Sequence, residues 1–112
     1  MTRYALLVHD RDDSDPPPAE RMAEFAERVS TLEADMSRDG VWVFGMGLSP
    51  APQASVVTAD ALVTDGPFAE SREHVAGIWV VEVPDLATAH AWAARTAEAC
   101  GAPIEVRPLH GA

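Results

Sequence analysis

Asp65, His9 and His74 are the side chains of this 112-residue chain best suited by type and position to move a proton. Asp65 stands in Asp65-Gly66-Pro67 at the end of a β-rich stretch. A carboxylate at a strand end beside a cleft, with Phe68 as an apolar neighbour, can take a proton from a substrate. The plainer reading is a turn residue, because aspartate holds turn backbone through its side chain and Asp-Gly-Pro is strong turn chemistry. His9 closes the first apolar run and His74 precedes the longest one, so both are placed to meet Asp65. Imidazole changes charge nearest neutral pH and suits shuttling in either position, although a histidine at a strand end is also an ordinary hydrogen-bonded residue. His90 falls in the middle of a helical pattern and His110 in the tail. The four histidines do not cluster and no H-x-x-x-H spacing occurs, so no metal site is expected.

A second group of charges follows the turn. Glu70, Arg72 and Glu73 alternate in sign, while Glu105 and Arg107 share one face of the last apolar run by the period of two. Arg–carboxylate pairing makes Glu70, Glu73, Glu105 and Arg107 candidates for structural ion pairs. The sharper reading makes Arg72 the anchor of a small anionic substrate. Cys100, in Ala99-Cys100-Gly101, has no basic neighbour to activate it and reads as a small packing residue. Gly45-Met46-Gly47 lacks the third glycine and the helix of a dinucleotide site, and no nucleophile-elbow or phosphate-loop pattern occurs. No cofactor is expected.

These side chains must be held by the surrounding elements. Tyr4 to Val8 reads as a strand, followed by a polar loop. Asp15 before Pro16-Pro17-Pro18 signals a helix start, and Met22, Phe25, Ala26, Val29, Leu32 and Met36 recur at helical spacing up to Asp39-Gly40. Glu33 lies on the flank of that stripe, where a charge can stay in water. Val41 to Phe44 is the second strand. Ser55–Thr58 and Ala61–Thr64 form a hairpin, and Val75–Val83 is the longest strand. Asp85 caps a helix through Cys100 that Gly101 stops, with Leu86, Ala89, Ala93 and Ala97 as its small-residue face. Ile104 to Arg107 is the last strand. The order β-α-β-hairpin-β-α-β is the ferredoxin-like α+β arrangement, an antiparallel sheet with both helices on one face. Ala5–Val8, Val41–Phe44 and Ile78–Val81 are apolar without alternation, which a sheet covered on one side does not need. A homodimer packed sheet against sheet accounts for this, with Trp42 and Trp79 supplying contact area. Trp42, Phe44, Phe68 and Trp79 are the expected walls of an apolar cleft that takes a small molecule.

Composition narrows the partners. Residues 1–112 are expected to form one domain, long enough to bury a core without metal or disulfides. Eighteen acids face 8 bases, for a formal charge of −10. Nucleic acid and anionic membrane surfaces are therefore not expected partners. One cysteine and no long apolar run suit a soluble, cytoplasmic protein.

Val63-Thr64-Asp65-Gly66-Pro67-Phe68-Ala69-Glu70-Ser71-Arg72-Glu73 resembles the DGPF signature of the YCII-related family. Ala76 to Val81, Asp85-Leu86 with Ala91-Trp92-Ala93, and Ile104-Glu105-Val106-Arg107-Pro108 resemble its later elements. Arg3 to Leu7 and Gly45 to Pro50 fit it more loosely. The resemblance implies a ferredoxin-like dimeric α+β barrel. A few relatives are cofactor-free lyases, such as dehydrochlorinases of aromatic breakdown; many DGPF members are encoded beside sigma factors. The wider family carries a His–Asp pair with the histidine in the first helix, but this chain has no histidine between Asp10 and Glu73. An arginine common in the strand before the signature stands here as Val57. The expected activity is cofactor-independent acid–base chemistry, of lyase or isomerase type, on a small organic molecule. The alternative is a non-catalytic ligand-binding or interaction module linked to transcription regulation.

Overall fold

Tyr4, Leu6 and Val8 alternate along strand β1 (Thr2–Arg11) and turn their side chains into the core. In a computed structural model, which describes residues 1–11, 18–67 and 73–111, this strand is central in a four-stranded antiparallel sheet. The described elements continue as α1 (Ala19–Arg38), β2 (Trp42–Gly47), β3 (Ser55–Val57), β4 (Val63–Asp65), β5 (Glu73–Val83), α2 (Leu86–Cys100) and β6 (Ile104–Pro108). The sheet order is β2-β5-β1-β6, while β3 and β4 pair only with each other in a separate two-stranded sheet. This is the ferredoxin-like α+β fold, with one added hairpin. β1 and β5 are longer than their apolar runs because pairing continues past a bulge at Val8/His9 to Asp10↔His74 and Arg11↔Glu73.

Both helices cover the same sheet face. Leu32 and Met36 of α1 meet Ala89, Trp92, Ala93 and Ala99 of α2 over Tyr4, Leu6, Val8, Trp79, Val81 and Val83. Only the second half of the expected α1 stripe is buried; Met22 and Phe25 remain exposed. The helix begins after Pro18 with no side-chain cap, and Asp15, the expected start signal, lies outside the described residues. α2 follows its capping chemistry closely. Asp85 accepts hydrogen bonds from the Thr88 N–H at 2.8 Å and the Thr88 hydroxyl at 2.6 Å. At the other end Gly101, at φ 64°, donates its N–H to the Ala97 carbonyl, a left-handed stop that suits glycine. The buried face of α2 differs from the expected one: Trp92 and Thr96 join Ala89 and Ala93 inside, and Leu86 is exposed. Thr96 is a buried polar residue whose hydroxyl donates to the Trp92 carbonyl at 2.8 Å. Among the described residues no helix is long and apolar enough to cross a membrane.

Candidate functional site

With the helices on one side, the opposite sheet face carries the candidate groups. Alternation sends Arg3, Ala5, Leu7 and His9 of β1 to this open face. Register places Val80 beside Ala5 and Ile78 beside Leu7 on β5, with Phe44 and Met46 of β2 next to them in turn. On the other flank, Arg107 lies opposite Ala5 and Glu105 opposite Leu7. The result is an apolar floor with a charged border. Phe44 is 48% exposed and Met46 61%, so the β2 side of this floor is open to solvent in the single chain, while Ala5 is buried and Leu7, Ile78 and Val80 are half-buried.

The border at β6 brings a candidate base to a carboxylate. His9 Nε2 lies 2.8 Å from Glu105 Oε1, and the other oxygen of Glu105 accepts from Arg107. His9 also donates its backbone N–H to the Pro103 carbonyl at 3.1 Å, which fixes the strand end that carries the ring. The hydrogen bond from His9, then that from Arg107, hold the Glu105 carboxyl below its ordinary range. An ionised carboxylate only accepts, so the shared proton sits on Nε2 and a neutral ring keeps its lone pair on Nδ1. That is the arrangement of a general base oriented by a carboxylate. The side chain of His9 is 25% exposed, enough for a small molecule to reach it. At the far end of the face, Arg3 donates to Glu82 at 2.9 Å, a cross-strand pair that closes the opposite border.

The other sequence candidates are dispersed. Asp65 ends β4, exposed, in register with Ser55. Its side chain makes no hydrogen bond or ion pair to the described residues, and an aspartate turn bond to the second following residue is closed because Pro67 has no N–H. The turn is held instead by the Gly66 N–H, which donates to the Ala54 carbonyl at 2.6 Å. His74 is half-buried in β5 opposite Asp10, and Glu73 sits opposite Arg11. Phe68, Glu70 and Arg72 lie outside the described residues. Trp42 and Trp79, expected as cleft walls beside Phe44 and as the dimer contact, belong to the helix side. Trp79 is buried and donates its indole N–H to Glu33 at 3.0 Å; the flank expected to leave Glu33 in water instead meets an indole. Gly45 permits this. A Cβ there would stand 2.6 Å from both Trp42 Cη2 and Trp79 Nε1. Cys100 is inert: burial first, then the nearby Glu33 charge, push its thiol up to about 11.

The pairing of His9 with Glu105 was not visible in the sequence, where Glu105 counted only as a structural ion-pair residue. Topology carries the missing signal. β6 must lie beside β1 in this fold, but its register decides whether Glu105 reaches His9. Two open grooves lie elsewhere. One, of about 630 Å³, runs between α1 and α2 among Glu24, Glu27, Arg28, Arg95 and Glu98. The other, of about 390 Å³, runs between α2 and β6. Neither includes His9, His74, Asp65 or Phe44. Among the described residues no three His, Cys, Asp or Glu side chains converge as a metal site.

The model of the YCII-related domain matches residues 2–110. The chain belongs to the YCII-related family. The match runs from β1 through β6, so the open face and its His9–Glu105–Arg107 border lie inside the YCII domain. No curated protein matches the chain. α1 of this YCII member holds no histidine, and its strand histidine His9 is bonded to the carboxylate of Glu105.

Proposed function

We propose that this YCII protein carries out cofactor-independent proton transfer, of lyase or isomerase type, on a small organic acid held against its open sheet face. The observation that carries the reading is the His9–Glu105 hydrogen bond of 2.8 Å at the edge of an otherwise apolar floor. His9 Nδ1 takes a proton from carbon or oxygen, and Glu105 keeps the ring in the tautomer that can do so. Arg107, its side chain 69% exposed, offers remaining guanidinium donors to a carboxylate or phenolate of the substrate. The apolar body of the substrate lies on Leu7, Ile78, Val80 and Phe44. A face this open does not exclude water alone, and a second copy packed sheet to sheet turns it into an apolar cleft. Asp65, within the stretch that resembles the DGPF branch, is a second acid–base group of the same cleft.

The test is turnover of small halogenated and hydroxylated acids and lactones by the parent, His9→Asn and Glu105→Gln. Loss of turnover in His9→Asn at unchanged melting temperature supports the reading; full turnover defeats it. A second reading, a binding module working beside a transcription regulator, draws support from the missing helix histidine. It predicts ligands that bind the open face and are released unchanged.

A further inference from the structure

The β3–β4 hairpin is hydrogen-bonded only to itself among the described residues. Thr58 N–H donates to the Leu62 carbonyl at 3.0 Å at its tip, and Gly66 N–H to Ala54 at its base. A lone two-stranded hairpin is marginal in water without an apolar face to cover it. Here that face is uncovered. Val57 and Val63 are cross-strand partners, 63% and 61% exposed, and Leu62 beside them is 58% exposed. By alternation Ser55 and Asp65 lie on the same side of the arm as Val57 and Val63.

The same chain holds a second apolar surface, where Phe44 and Met46 are exposed beside the half-buried Ile78 and Val80. We propose that the β3–β4 arm of one copy lies over the open face of a second copy and carries Asp65 to the edge of that copy's His9 site. The proposal rests on the reading of the open face as the working face. Two arguments select a second copy as the occupant. First, a two-fold axis buries both surfaces twice with one contact, whereas any other partner must match each of them separately. Second, the sheet face alone is too small. Four strands about 4.8 Å apart and on average about eight residues long span roughly 19 by 26 Å, or about 500 Å². A stable interface takes about 800 Å² from each partner, and the arm supplies the difference.

The arm is tested without reference to turnover. Val57→Glu/Val63→Glu changes two exposed side chains, so the body of the fold stays intact, and light scattering at micromolar concentration reads the mass. The parent is expected at twice 12.0 kDa. The double variant is expected at the single-chain mass, its dimer dissociation constant raised roughly a hundredfold by two charges placed against an apolar floor. In a Cys100→Ala background, Val57→Cys/Met46→Cys should form a covalent dimer on mild oxidation. A monomeric parent, a double variant that dimerises as tightly as the parent, or a disulfide closed only within one chain would each overturn the proposal. His9→Asn should leave both readouts unchanged, so failure of the arm and failure of the His9 chemistry are told apart.

Discussion

At residue scale the proposed working group is His9, directed by Glu105. Turnover, where found, should fall by about 10²–10⁴-fold in His9→Asn, the usual contribution of a general base, and by less in Glu105→Gln, which loses the tautomer preference but keeps the ring. Steady-state kinetics on the two variants checks the order. Glu105 also leaves a signature in acid. Its folded carboxyl lies below the ordinary 4.5, first through the His9 hydrogen bond, so ionisation stabilises the fold above that value and the contribution fades as pH falls through the lowered one. The parent should therefore lose more stability than Glu105→Gln between neutral pH and the acid side of that value, read by urea titration at a series of pH values. Equal losses would show that the pair contributes nothing to folding. Asp65→Asn should melt with the parent, because no described bond depends on its charge. If Asp65 is an acid–base group, the variant loses turnover without losing stability.

At element scale, the ends of α2 were legible, and the run of prolines placed the start of α1, which begins at Ala19 directly after Pro18. Asp85 and Gly101 are chemically committed to their positions by an acceptor side chain and a left-handed backbone; Pro18 makes no side-chain cap. Asp85→Ala should cost about 1 kcal/mol, measured by denaturant unfolding. The buried face of α2 was harder to read because alanines surround the helix and give little contrast between its sides. Ile78-Trp79-Val80-Val81 poses the same problem in a strand: when both faces are apolar, the period of two does not say which one the helices cover. Gly45 is the residue that resolves it after the fact. Its missing side chain leaves room for the two indoles on the helix side, so Gly45→Ala should destabilise by about 1–3 kcal/mol through overpacking, with a matching change in Trp fluorescence.

At the scale of the whole molecule the chain is a slab, 42 × 40 × 17 Å, with helices on one broad side and an apolar floor on the other. The order of strands and helices made the fold class legible in the sequence, and the non-alternating strands announced that the second face is apolar. They did not announce which side chains cross the strands on that face. The site depends on the β1–β6 register, and register is a property of the folded sheet. In the proposed function, small molecules bind this face and not the groove between the helices. An NMR titration of halogenated and hydroxylated small acids, read on side-chain resonances, tests it most directly. Shifts gathered on His9, Arg107, Ile78 and Phe44, and lost in His9→Asn, are the expected result. Shifts gathered on Arg28, Thr31 and Arg95, with the open face silent, would contradict it.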